Sequence, residues 1–224
     1  MKAVFDITID FEKSKGSYLY DKNTEQSFLD LFSMFSSLPL GYNHSIFNNE
    51  YDKKMKQISH LRMSNNLFYS DELKSFKERF LEISFHNNLH FCSTGALAVE
   101  AAIKCGYEYK KNTESVVYSL KNSFHGINSW GFTTDSNISS VKNRVIHYPQ
   151  NNWKKFSLNE LIDALENIDE SVSSVIIEPI QCTAGDIYLD NKKLKKIQNL
   201  CNKNNICFIV DEVQTGFGST GEYW

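Results

Sequence analysis

Arginine is nearly missing from this 224-residue chain. It occurs only at Arg62, Arg79 and Arg144, and the other 21 of its 24 basic residues are lysines. A bidentate guanidinium clamp for a carboxylate or phosphate therefore has few candidates. Proline (3) and glycine (10) are also scarce, while aromatics make up 13%, which excludes collagen-like and wholly disordered classes. The five cysteines (Cys92, Cys105, Cys182, Cys201, Cys207) are odd in number and irregularly spaced. No CxxC pair suggests zinc or redox chemistry, so they read as reduced thiols of a cytoplasmic protein. No apolar run approaches the roughly 18–20 residues that span a bilayer, and no membrane partner is expected. The start, MKAVFDITIDFEKSKG, alternates and carries acids, unlike a signal peptide. A net charge of −3 and a pI near 6.1 supply no basic excess for nucleic acid.

What is present is an ordinary globular composition, 41% apolar and 23% charged, enough for one large domain or a domain and part of another. The first forty residues read as β-rich. Val4–Phe11 alternate, and Tyr18–Tyr20 and Phe28–Phe32 flank the polar stretch Asp21–Gln26, a hairpin signal. Helical periodicity follows over Ile46–Ile58 and Asp71–Ile83. Beyond residue 88 a short apolar run, Leu89–Cys92, leads into a helix over Ala96–Lys110. Then come a strand over Ser115–Leu120, a helix over Leu158–Ile168, a buried strand over Ser173–Ile177, a helix over Leu189–Asn204 and a buried strand over Ile206–Val210. Alternating strands and helices imply an α/β fold with a mostly parallel sheet. Ligands of such sheets bind outside the carboxyl ends of the strands. Four segments fall there: Ser93–Ala96, Asn122–Gly126, Glu178–Asp186 and Asp211–Gly221.

Each segment has a chemical reading and a plain one. Small residues at Ser93-Thr94-Gly95-Ala96 let helix N-terminal amides approach an anion, or simply make a tight turn. Asp211-Glu212 ends the run Cys207–Val210, where a carboxylate holds a cation or a protonated ring nitrogen, or caps a strand at the surface. Phe124 stacks on a flat ring or belongs to the core. His125 is a base or a structural histidine. Glu178 ends the strand Val175–Ile177 as a buried carboxylate. The loop Gln214–Gly221 is Gly-rich but lacks the Lys-Ser/Thr of a Walker loop. Together they make a phosphate cradle, an aromatic ring and a carboxylate on one sheet. These are the fittings for a phosphorylated, flat, protonatable cofactor, and pyridoxal phosphate has those properties.

The runs IIEPIQCTAGDIYL and FIVDEVQTGFGSTGEYW, with STGALAVEAAIK and SFHG before them, resemble the class III aminotransferases. Within that family the chain resembles most the L-lysine 6-transaminase branch, then the 4-aminobutyrate branch, on FDITIDFEKSKGSYLYD, FLDLFSMFSSLPLGYNH and MSNNLFYSDELKSF. The resemblance implies a type I pyridoxal-phosphate fold and transfer of an ω-amino group from an amino-acid donor to a 2-oxo acid, 2-oxoglutarate. It also implies a cytoplasmic homodimer. By resemblance, residues 1–60 form an N-terminal segment belonging to the small domain, and 61–224 an incomplete cofactor-binding large domain. Gly95 and Ala96 would bind the cofactor phosphate, with Thr94 adding its hydroxyl. Phe124 would stack on the ring, Val213 would pack on its other face, Asp211 would pair with the ring nitrogen and Gln214 would bond the ring hydroxyl. Glu178 and His125 would stand behind them or on the substrate side.

Three departures qualify that picture. Ile127 stands where relatives carry a carboxylate-gripping Arg, and Thr183 where the lysine enzymes carry a Glu. The Schiff-base Lys of the family and the C-terminal small domain are expected beyond Trp224. The 224 residues by themselves are therefore expected to turn over very slowly and to need a partner segment to cover exposed core. The alternatives are a catalytically dead cofactor-binding remnant, an isomerase or decarboxylase of the same fold, or a nucleotide-binding α/β protein.

Overall fold

A computed structural model describes residues 6–60, 68–128 and 152–224. Val4, Phe5, Arg62 and Arg144 lie outside the described residues. Two compact units are present: Met1–Leu89 with Phe217–Tyr223, and His90–Gly216 with Trp224. The division falls at Leu89/His90. Aromatic packing accounts for part of this, because Phe80 stacks on Phe217, 5.6 Å between ring centroids, and so ties the second helix to the returning stretch.

In the first unit, β1 (Tyr18–Asp21) and β2 (Gln26–Leu29) form the expected antiparallel hairpin. Asp21 closes its turn. The carboxylate accepts from the Thr24 hydroxyl (2.7 Å) and from the Thr8, Asn23 and Thr24 amides, and these bonds hold its carboxyl below the usual range. The strand expected over Val4–Phe11 is reduced, among the described residues, to an isolated bridge between Ile9 and Asp21. Asp10 Oδ1 accepts from the Glu12 and Lys13 amides, which turns the chain away. Likewise β2 stops at Leu29 instead of running to Phe32, because Asp30 Oδ1 accepts from the Phe32 and Ser33 amides. Ser33–Ser36 then make one left-handed turn, with φ between 49° and 62°. Helix α1 (Asn49–Ser59) starts at Asn48, whose side chain caps the Glu50 and Tyr51 amides, and α2 (Asp71–Ile83) starts at the Ser70 cap.

The second unit is a three-layer α/β structure. Its elements in chain order are α3 (Gly95–Lys110), β3 (Val116–Leu120), β4 (Trp153–Phe156), α4 (Leu158–Glu166), β5 (Val172–Ile177), a small hairpin of β6 (Ile180–Gln181) and β7 (Ile187–Tyr188), α5 (Asn191–Lys203) and β8 (Cys207–Val210). The sheet order is β4-β3-β5-β8, and all three ladders are parallel. Both faces are covered, so β3 and β5, which read as continuous apolar runs, are buried throughout; β8, expected buried, stands at an edge of the sheet, is only part-buried and exposes Val210. Alternation assigns the faces. Val116, Tyr118 and Leu120 of β3, with Val175 and Ile177 of β5, pack on α4 and α5. Val117 and Ile176 pack on α3 through Val99, Ile103 and Tyr107.

Helix α3 comes unusually close to the sheet at Gly106. A Cβ there would stand 1.9 Å from Ser174 Oγ, and this buried hydroxyl has no hydrogen-bond partner. Helix α4 carries a full capping box, with Ser157 and Glu160 bonding each other's amides. Two sequence expectations change here. Leu89–Cys92 joins no strand, so α3 is entered from coil. Trp153–Phe156, to which the sequence reading assigns no element, is β4, at one edge of the sheet. Its Trp153 Nε1 donates to Ser119 Oγ at 2.7 Å. All five cysteines are free, and burial pushes the Cys201 thiol up to about 12. No helix among the described residues is long and apolar enough to cross a membrane.

Candidate cofactor site

A cavity of about 280 Å³ opens at the carboxyl ends of β3, β5 and β8, above the N-terminus of α3. Every residue lining it belongs to the second unit. Gly95, Ala96, Phe124, His125, Glu178, Asp211, Val213 and Gln214 all line it, so all four sequence segments meet at one place. Thr94 does not line it. Thr94 is the N-cap of α3, and its Oγ1 accepts the Leu97 amide at 3.2 Å. Sequence reasoning missed Val99, Ile180 and Thr215 in the wall. Val99 was readable as the position one helical turn after Gly95, and Ile180 as part of the short run after Glu178.

The α3 end is shaped to receive an anion. Amides in the first turn have no acceptor within their own helix, and the helix dipole favours negative charge there. Two glycines keep the approach open. A Cβ on Gly95 would meet Val213 Cγ2 at 2.8 Å. One on Gly126, at φ +101°, would meet the Ala96 Cβ at 2.7 Å.

At the sheet end, His125 is 1% exposed and its Nδ1 lies 2.7 Å from Asp211 Oδ2. The Asp211 carboxylate accepts, so the His125 proton sits on Nδ1. Nε2 is buried without a hydrogen-bond partner. The Val213 amide donates to Asp211 Oδ1 at 3.1 Å. Asp211 is thus oriented by two donors from different parts of the chain. Burial, with the nearby Asp211 charge adding to it, pushes the neighbouring Glu212 carboxyl up. Glu178 is 5% exposed, and its Oε1 accepts the Phe124 amide at 2.9 Å.

Residues 2–224 match the family Aminotransferase class-III, and the chain belongs to that family. It is 30% identical over 231 residues to an acetylornithine aminotransferase of Prochlorococcus marinus, covering 98% of this chain and 54% of that protein. It is 28% identical over 256 residues to an L-lysine-epsilon aminotransferase of Streptomyces clavuligerus, covering 98% and 55%. The fold superposes on a lysine aminotransferase from M. tuberculosis with a TM-score of 0.88 at 25% identity, over 100% of this chain and 59% of that one. The chain therefore spans about half the length of the relatives it matches.

The cofactor of this family is pyridoxal phosphate, and the cavity fits it. Open amides at Gly95 and Ala96 suit a phosphate. Phe124 and Val213 supply apolar surface for a flat ring, and Asp211 supplies a braced carboxylate for a protonated ring nitrogen.

Proposed function

We propose that the whole protein is a cytoplasmic, homodimeric aminotransferase that moves an ω-amino group from a lysine-like or 4-aminobutyrate-like donor to 2-oxoglutarate. The observation that carries this is the convergence of Gly95, Ala96, Phe124 and Asp211 on one cavity in a class III chain. The cofactor, when bound, supplies an electron sink that makes the bond to the substrate's hydrogen-bearing carbon labile.

Residues of this chain would hold it. The Gly95 and Ala96 amides anchor the phosphate. Phe124 and Val213 would give the ring apolar contacts. Asp211 would hold the ring nitrogen protonated, with His125 fixing the carboxylate's direction. Gln214 bonds the ring hydroxyl. Glu178 holds the backbone of Phe124 in place. Ile127 lines the cavity with an apolar side chain, so the group that grips a donor carboxylate is not at that position. Thr183 sits exposed between β6 and β7 and contributes no charge there.

The test is transfer by the whole protein, loaded with pyridoxal phosphate and 2-oxoglutarate. Lysine, ornithine, acetylornithine and 4-aminobutyrate are offered in turn and glutamate is measured. Glutamate formed with at least one donor supports the reading. Cofactor binding without glutamate from any donor overturns it.

A further inference from the structure

The loop after β3 carries two cavity side chains, Phe124 and His125, yet it has left the sheet ladder. It is bracketed by two residues in the left-handed region, Asn122 (φ 66°) and Gly126 (φ 101°). Its polar backbone groups need partners away from water, since a buried amide or carbonyl without one is costly. Two side chains from the segment after β5 provide them, and they are three residues apart. Glu178 accepts the Phe124 amide. Gln181, 5% exposed, donates from Nε2 to the Lys121 carbonyl at 3.0 Å and to Ser123 Oγ at 3.5 Å. Ser123 Oγ in turn donates to the Leu120 carbonyl at 2.6 Å. A carboxylate can only accept, so Glu178 serves the loop's donor. An amide NH₂ can donate twice, so Gln181 serves its acceptors.

We infer that Gln181 is a positioning residue for the ring-stacking side of the site: with Glu178 it forms a two-point clamp that sets the height of Phe124 over the cavity. Gln181 itself stays out of the cavity lining, which separates its role from direct contact with a ligand. The inference rests on the cavity being a pyridoxal-phosphate site. It makes a distinction that a merely structural glutamine would not. Loss of the clamp is felt by the ring of a ligand and not by its phosphate, because the phosphate cradle is built on α3.

The test compares the wild-type protein with Gln181→Met, which keeps the length and removes both donors. Two probes are titrated, pyridoxamine 5′-phosphate and inorganic phosphate, with the dichroism induced in the pyridine absorption band as a second readout. Expected for the variant is about a five- to tenfold weaker pyridoxamine phosphate affinity, the size of one net hydrogen bond. The induced dichroism falls and the inorganic phosphate affinity is unchanged. Equal pyridoxamine phosphate affinity in both proteins, or a parallel loss of phosphate affinity, overturns the inference. If Gln181→Met does not fold, Gln181→Asn, too short to reach Lys121, is judged by the same criteria. Failure of the wild type to bind pyridoxamine phosphate instead overturns the cofactor-site reading, and the inference with it.

Discussion

His125 and Asp211 are 86 positions apart in the chain, and their Nδ1 and Oδ2 atoms are 2.7 Å apart in the fold. The contact joins the loop after β3 to the end of β8, across the intervening strand β5. It holds a cavity-lining carboxylate by Oδ2, while the Val213 amide holds Oδ1.

Removing the imidazole leaves that carboxylate, largely buried, without its side-chain donor. His125→Ala is expected to lose about 1–3 kcal/mol of stability, the usual cost of stranding a buried acceptor. Urea denaturation checks it, and His125→Asn, which keeps a donor, is expected to recover part of the loss. An unchanged midpoint for His125→Ala would show that the pair does not brace the fold.

Gly95 and Val213 are coupled by space alone. A methyl on residue 95 would stand 2.8 Å from Val213 Cγ2, so Gly95→Ala pushes Val213 into the cavity. Pyridoxamine phosphate affinity is expected to fall about tenfold or more, and Val213→Ala in the same chain to restore much of it. A double-mutant cycle on that affinity measures the coupling, expected within the roughly 0.5–3 kcal/mol seen for residues in contact. Additive losses would argue against a steric origin.

The same reasoning applies beneath the site, at the contact of α3 with β5. Ser174→Ala removes a buried hydroxyl that has no hydrogen-bond partner and is expected to be neutral or to stabilise by about 1 kcal/mol. Gly106→Ala alone places a carbon 1.9 Å from that hydroxyl and is expected to cost about 1–3 kcal/mol by overpacking. With Ser174→Ala present, the cost is expected to shrink. Thermal midpoints of the three variants decide it, and an undiminished cost in the double variant counts against the close approach.

The capping box of α4 has a pH signature. Glu160 is held down to about 2 from its ordinary 4.5, first by the hydrogen bond from Lys121 and then by the Ser157 amide. A depressed carboxyl contributes stability that is fully present above about 4.5 and is lost as pH falls through about 2. Melting curves between pH 5 and pH 2 are expected to show a shallower decline for Glu160→Gln than for the wild type. Parallel declines would assign the acid sensitivity to other carboxylates.

The sequence pattern located α1 to α5 and the three apolar strands β3, β5 and β8, because their apolar runs stand out and helix caps, such as Asn48, Ser70 and Ser157, are local. The described part of Val4–Phe11 makes only a bridge because its alternation competes with the side chain of Asp10, which turns the backbone. Leu89–Cys92 misled because an apolar run of four carries no information about whether a neighbour is there to pair with. β4 was hidden because its WKKF pattern places two lysines between aromatics, as suits an edge. Gly95, Phe124 and Asp211 were legible from residue type at strand and helix ends. The partners that hold them, His125 for Asp211 and Glu178 for Phe124, were not, since those bonds span 86 and 54 positions.

Parallel ladders also set the order in which the molecule comes together. Val117 pairs with Ser174, and Ser174 with Cys207, so each ladder closes a loop of tens of residues before its contacts repay the lost chain entropy. The cavity needs β3, β5 and β8 in register, and it exists only once the last of these ladders has formed. A ligand of this site meets the chain after its slowest folding step. It prolongs the life of the folded state, slowing its unfolding, and leaves the rate of first assembly as the sheet topology dictates.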